Sequence, residues 1–196
     1  MTPQRCLTPA HGAIVLAAGA STRLGRAKQL IDIDGEPLLR RVTRRVLATE
    51  PEDCVVVLGH DAERIGSVLE GLDVRVLRLR DADSGMAASL RAGLLSLDAL
   101  CAGALIVLTD QPALTVDHLD ALCMAWRAEP ARAVASAYAG VLGVPAILPR
   151  DWFEEIIALR GDVGARALLR ARSDEVTAIA APELAADIDR VDDIPR

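Results

Sequence analysis

The chain has 196 residues, a length that defaults to one domain, with 52% hydrophobic residues and a net charge of −6 from 22 basic and 28 acidic side chains. That apolar content builds a core and excludes disorder, while the few aromatics (Trp126, Trp152, Tyr138 and Phe153) give no platform for stacking the bases of a single strand. No basic block marks a nucleic-acid or anionic-membrane partner, and no apolar run approaches the roughly 20 residues of a membrane helix.

The first dozen residues lack the apolar segment of a secretory signal, so residues 1–12 read as an N-terminal extension and 13–196 as the single domain. Cys6, Cys54, Cys101 and Cys123 form neither a CxxC pair nor a zinc spacing. They read as reduced thiols in a cytoplasmic protein, with Cys54 and Cys101 in or beside apolar runs as small hydrophobes.

In chain order, residues 13–17 form a short apolar run ended by Gly19, the pattern of a buried strand. Residues 37–48 predict a helix with Pro37 in its first turn and Leu38, Leu39, Val42, Val46 and Leu47 on one face. Arg40, Arg41, Arg44 and Arg45 take the other side, as a solvated face or a binding patch. Residues 54–58 predict a second strand, 62–69 a short helix, 74–79 a third strand, and a helix capped by Ser84 runs to about Leu97. The fourth strand, 104–108, has no polar side chain, which suits a parallel strand covered on both faces. A helix at 115–128, strands at 133–138 and 144–148, helices near 152–159 and 163–170, and a strand at 176–180 precede an acidic tail. This rhythm implies an α/β fold, a three-layer and mainly parallel sheet with helices on both faces, whose ligands bind beyond the carboxyl ends of the strands.

The loop after the first strand, Leu16 to Lys28, gathers Gly19, Ser21, Thr22, Arg23, Gly25, Arg26 and Lys28. Glycine lets the backbone approach a ligand, consecutive N–H groups cradle an anion, and Arg23 and Lys28 add positive charge for a triphosphate. The dinucleotide pattern G-x-G-x-x-G fails because Gly19 is followed by Ala20 and Ser21. The P-loop pattern fails because Gly25 comes one residue late and Lys28 precedes Gln29. Phosphate binding and a plain turn with scattered charges remain the two readings.

LAAGASTRLGRAKQL resembles the signature LAAG-x-S-x-R-x-G-x-x-K-x-L of the molybdenum cofactor guanylyl/cytidylyltransferase family, with every fixed position filled. The resemblance covers about residues 13 to 194 and implies the Rossmann-like nucleotidyltransferase fold. It implies that Ala17, Ala18 and Gly19 border the base and sugar, that Arg23 and Lys28 hold the phosphates, and that Leu16 and Ser21 join that nucleotide site.

Asp110, after the fourth strand, faces the predicted crevice, where magnesium takes one or two carboxylates plus phosphate oxygens and water. An Asp before a Pro-containing turn is also a common helix start. The resemblance favours the metal role, and Asp110-Gln111-Pro112 is what the cytidylyltransferase branch shows there. Residues 83–93 read as an ordinary capped helix; the resemblance adds Gly85, Met86 and Ser89 as base-side residues.

In the last third, Gly143-Val144-Pro145 precedes a strand and can shape the pocket for a second substrate, and Gly161, Asp162, Gly164 and Arg166 open a helix. A helix start of this kind holds an anion, with Arg166 as a bidentate grip, or uses Asp162 merely as a cap. The GD-x-GAR order resembles the cytidylyltransferase branch, which implies that these residues, with Gln111 and Pro112, bind the acceptor. The same resemblance gives the tail a metal ligand, Asp189 first and Asp187 second. Arg190-Val191 departs from the family's Thr-Pro there and leaves the two aspartates open.

The implied reaction is a magnesium-dependent transfer of CMP from CTP to molybdenum-bound molybdopterin with release of pyrophosphate. Lys28, Arg23 and Asp110 are its catalytic residues, and a xanthine dehydrogenase-type molybdoenzyme is the partner that uses the product. Ala18, where the guanylyltransferase branch has Gly, favours CTP. The alternatives are a sister enzyme using GTP or acting on a sugar or alcohol phosphate, a noncatalytic nucleotide-binding cofactor chaperone, and a dinucleotide-binding oxidoreductase.

Overall fold

The structure, a computed structural model, describes residues 8–19, 25–79, 85–186 and 188. The first apolar run becomes β1 (His11–Ala17), every residue of which is buried. Ala13, Val15 and Ala17 face one core while Ile14 and Leu16 face another, the alternation of a strand covered on both sides.

A hairpin that the periodicity does not predict follows: β2 (Asp32–Ile33) pairs antiparallel with β3 (Glu36–Pro37). Asp34 and Gly35 at its turn both have positive φ, 56° and 82°, the backbone that Asp-Gly turns favour. α1 (Leu38–Leu47) buries Leu38, Leu39, Val42, Thr43 and Val46. Its arginines form no bare solvated face. Arg40 donates to the carbonyls of Val68 and Glu70 at 2.7 and 2.9 Å, and Arg45 to the carbonyl of Pro112 at 3.1 Å.

The later elements are β4 (Asp53–Leu58), α2 (Ala62–Gly66), β5 (Arg75–Arg78), α3 (Met86–Ser96), β6 (Gly103–Leu108), α4 (Val116–Ala128) and β7 (Ala133–Tyr138). β8 (Val141–Pro149), α5 (Phe153–Ala158), α6 (Ala165–Ala171) and β9 (Val176–Ala180) complete the described elements. Three differ from expectation. The helix expected at 62–69 splits into α2 and a 3₁₀ turn at Ser67–Leu69, and the one expected at 152–159 into a 3₁₀ turn at Arg150–Trp152 and α5. β8 starts three residues before the predicted strand, because Ala139 and Gly140, with φ of 49° and 74°, close a tight hairpin onto β7.

The main sheet has seven strands in the order β5-β4-β1-β6-β8-β7-β9. All neighbours run parallel except β8, which is antiparallel to both β6 and β7. Side chains of α1 and α4 pack on one face, and those of α3, α5 and α6 on the other. Trp126, one of the two largest fully buried side chains among the described residues, keeps its indole N–H on the carbonyl of Pro130 at 3.2 Å, so its burial leaves no orphaned donor. Among the described residues, no helix is long and apolar enough to cross a membrane.

The chain passes from β1 through α1 to β4 and β5 on one side. It then returns through α3 to β6 on the other. The strand order therefore reverses at the carboxyl ends of β1 and β6, the place where open α/β sheets leave a crevice.

Candidate active site

A cavity of about 260 Å³ opens at that reversal. Leu16, Ala17, Ala18 and Gly19 from the end of β1 line it, with Lys28, Gln29, Gly85, Met86, Ser89, Leu108, Thr109, Asp110 and Asp162. Nine residues expected at the nucleotide site thus meet around one space, drawn from segments spread between Leu16 and Asp110.

Two side chains that the sequence reading passed over fix this floor. Gln29 is buried, and its amide donates to the carbonyls of Ala17 at 2.7 Å and Gly19 at 3.0 Å. Thr109, also buried, donates its hydroxyl to the carbonyl of Leu16 at 2.9 Å. Strand ends that leave a sheet carry carbonyls without ladder partners, and an unpaired buried carbonyl is costly. The visible signals are slight: a polar residue inside the K-x-L spacing, and one hydroxyl ending an apolar strand.

Lys28 and Asp110 form an ion pair, Nζ to Oδ2 2.7 Å, with both side chains mostly shielded. The other carboxylate oxygen of Asp110, Oδ1, is buried without a hydrogen-bond partner. Asp110 caps no helix. The N-cap of α4 is Thr115, whose hydroxyl accepts from the backbone N–H of His118 at 3.2 Å. Asp162 caps none either, since α6 starts from Gly164 without a side-chain cap.

A second cavity of about 300 Å³ adjoins the first and shares Leu16, Met86, Leu108, Asp110 and Asp162 with it. Its other walls include Gln111, Tyr138, Gly143, Val144, Gly164 and Arg166. Five residues expected on the acceptor side therefore meet here: Gln111, Gly143, Asp162, Gly164 and Arg166. Three do not. Pro112 lines neither cavity and presents its carbonyl to Arg45. Pro145 gives its carbonyl to the Ser136 hydroxyl at 2.7 Å, and Gly161 its carbonyl to the N–H of Ala87 at 3.1 Å.

Gln111 works from behind the wall. It is buried, and its amide donates to the carbonyl of Val144 at 3.1 Å, where the Tyr138 hydroxyl also donates at 2.9 Å. His118 reaches Ser136 at 2.8 Å, and burial lowers the pKa of its imidazole, which favours the neutral form. These bonds hold the segment from Gly143 to Pro145, which contains a cis Val144–Pro145 peptide.

The two sides interlock. Gly85 has φ of +82°, and a Cβ built on it would lie 2.6 Å from the carbonyl carbon and oxygen of Gly161 and 2.7 Å from Asp162 Oδ1. A Cβ on Gly164 would strike the sulfur of Met86. Glycine is required at position 85 twice over, by its backbone angle and by the approach of a second loop.

Ser21, Arg23, Ser84, Asp187 and Asp189 lie outside the described residues. Ile188, between the two tail aspartates, is buried, and its N–H donates to the carbonyl of Asp110 at 3.0 Å. Among the described residues no three His, Cys, Asp or Glu cluster as metal ligands. A magnesium ion needs no such cluster, since one or two carboxylates plus phosphate oxygens and water suffice. The unpartnered Oδ1 of Asp110 fits that kind of ion.

A model of the MobA-like NTP transferase domain matches residues 13–176. The chain belongs to the MobA-like NTP transferase family. Nicotine blue oxidoreductase from Paenarthrobacter nicotinovorans is 32% identical over 175 residues, covering 83% of this chain and 82% of that one. A probable molybdenum cofactor guanylyltransferase from Natronomonas pharaonis is 31% identical over 147 residues, covering 74% and 65%. The crystal structure of Rv0371c from Mycobacterium tuberculosis superposes with a TM-score of 0.83 at 27% identity over 95% of both chains. That mycobacterial protein is also known as a manganese complex. Family membership places the chain among nucleotidyltransferases and leaves its base and acceptor to be argued.

Proposed function

We propose that this protein transfers CMP from CTP to the phosphate of molybdenum-bound molybdopterin and releases pyrophosphate. The observation that carries the reading is the position of Asp110 on the boundary between two adjoining cavities, the expected nucleotide side and the expected acceptor side, with its ion-pair partner Lys28 lining the first. A group that serves a transfer between two bound molecules belongs on such a boundary. The molybdenum cofactor enters from the name of the Natronomonas relative and from the GD-x-GAR order. CTP enters from Ala18 in the LAAG run.

In this reaction an oxygen of the acceptor phosphate forms a bond to the α-phosphorus of CTP, and the bond from that phosphorus to the bridging oxygen of pyrophosphate breaks. The attacking phosphate is already ionised at neutral pH, so no side chain has to remove a proton. His11 and His118 accordingly sit in buried structural hydrogen bonds and line neither cavity. The work left to the protein is positioning and charge compensation. Lys28 turns from Asp110 to the phosphates, with Arg23 beside it in sequence, and offsets the charge that builds on the departing pyrophosphate. Gly19, Gly85 and Ser89 frame the nucleotide, with Met86 over the base, while Gly143, Asp162, Gly164 and Arg166 shape the acceptor side. Asp110, with Asp189 or Asp187, would hold magnesium, which supplies positive charge to the triphosphate when bound.

The test is pyrophosphate release from each of the four ribonucleoside triphosphates with magnesium, with and without molybdenum-loaded molybdopterin. Release that needs the pterin and prefers CTP is expected. A preference for GTP, or for a sugar or alcohol phosphate as acceptor, would move the chain to a sister activity. Nucleotide binding without release would make it a carrier that hands cofactor to an enzyme of the xanthine dehydrogenase type. The name of the Paenarthrobacter relative supports one further reading, oxidoreduction. Hydride exchange between a nicotinamide dinucleotide and nicotine blue, catalysed by the purified protein and read by absorbance, would establish that instead.

A further inference from the structure

The acceptor-side cavity does not end at Arg166. It continues outward into a groove of about 660 Å³ that shares Asp162, Gly164 and Arg166 with it. The groove runs between the tip of the β7–β8 hairpin and α6. Val141 and Val163 are 39% exposed on its two sides, an apolar surface the fold leaves uncovered. Arg170, one helical turn beyond Arg166, lines only this outer part.

The arginines are informative because their neighbour behaves differently. Arg172 binds Glu155 and Glu175 and lies 4.3 Å over the ring of Trp152. Arg166 and Arg170 have no ion-pair partner among the described residues. Two like charges four residues apart on a helix repel and do nothing for its stability. Guanidinium groups beside uncovered apolar surface make a recognition site for a molecule that is both flat and negatively charged.

We propose that this outer groove is a distal subsite for the acceptor, and that Arg170 is a specificity residue for it. The acceptor is then an extended phosphate monoester. Its phosphate sits in the inner cavity near Asp110, and its far end carries an apolar body and a second anionic group against Val141, Val163 and the arginine pair. Short sugar or alcohol phosphates fill the inner cavity alone. The inference rests on the acceptor side proposed above, and it deepens that reading from a named acceptor to the residues that measure its length and charge.

The experiment is calorimetric binding, to the protein without CTP or magnesium so that no transfer occurs, of two probes: molybdenum-loaded molybdopterin as the extended ester and glycerol 3-phosphate as the short one; CTP is titrated separately. Wild type should bind the extended probe more tightly. Arg170→Glu should weaken it about tenfold, Arg170→Lys should restore part of the loss, and glycerol 3-phosphate and CTP should bind all three proteins alike. Arg170 is exposed, so the thermal midpoint should stay unchanged. Equal binding of the two probes to wild type, or equal weakening of both by Arg170→Glu, overturns the proposal. Loss of pyrophosphate release with Arg170-dependent binding intact would instead sink the transfer reaction and leave the subsite standing.

Discussion

The two halves of the crevice are built by different means. The side proposed for the nucleotide is made from the ends of parallel strands, and its first turn is held by a side chain close in sequence, Gln29 to Ala17 and Gly19, with Thr109 of the neighbouring strand end adding a bond to Leu16. The side proposed for the acceptor hangs on the antiparallel β8 and on contacts between distant segments, with Gly85 against Gly161, Gly164 against Met86, and Gln111 and Tyr138 on Val144. Only the first kind of construction yields a compact sequence motif. The second spreads its determinants over 80 residues, from Gly85 to Gly164.

The strongest test of the boundary between the halves is Asp110→Asn. It keeps the size of the side chain but removes the partner of Lys28 and the unsatisfied Oδ1 charge. Transfer should fall about 10²–10³-fold, the usual loss when one preorganised charge is removed from a reacting centre. Pyrophosphate release reads it, and a variant within threefold of wild type would remove Asp110 from the chemistry. Lys28→Ala should cut turnover similarly with little loss of folding.

The amino end of the same strands supplies the contrast, because a perturbation there should unfold the protein without choosing between the halves. His11 is fully buried beside Thr49, and burial, then the charge of Arg127, push its pKa down from 6.5 to about 4. Below pH 6.5 the unfolded chain takes up the proton first, so stability is complete above that pH and is lost as pH falls toward 4. The full loss is about 3 kcal/mol at 1.36 kcal/mol per pKa unit. Urea unfolding between pH 7 and 4 checks it. His11→Gln should flatten that part of the profile, and an unaltered slope would show that another group drives the acid loss.

How far the sequence could be read follows the same division. The apolar runs of β1, β4 and β6 announce buried parallel strands, and the crevice at their ends follows from alternation alone. The hairpin of β2 and β3 escapes because two residues per strand carry no periodicity, although Asp34-Gly35 is a turn signal that was there to be used. The direction of β8 escapes because alternation is blind to orientation. Pro112, Pro145 and Gly161 belong to the right loops but turn their carbonyls into the framework. Spacing identifies a loop, and only the hydrogen bonds of neighbouring segments decide which of its atoms face the ligand.

Gly85→Ala tests the interlock between the halves. A positive φ and a Cβ 2.6 Å from the Gly161 backbone should together cost about 2 kcal/mol. Because the same contact shapes both cavities, KM should rise for CTP and for the acceptor alike. A rise in one alone would mean that the loops adjust independently.

Tyr138→Phe should have the smallest effect and the most selective one. The hydroxyl gives one bond to Val144, 2.9 Å long, and Gln111 still reaches the same carbonyl at 3.1 Å. The carbonyl therefore keeps a partner, and the loss should be about 1 kcal/mol, a fewfold rise in acceptor KM. The KM for CTP should not move, because Tyr138 lines the cavity proposed for the acceptor and not the one proposed for the nucleotide. Steady-state kinetics with each substrate varied in turn separates the two. If both constants rose together, the hydroxyl would be acting through β6 on Asp110 itself, and the two halves would be one mechanical unit.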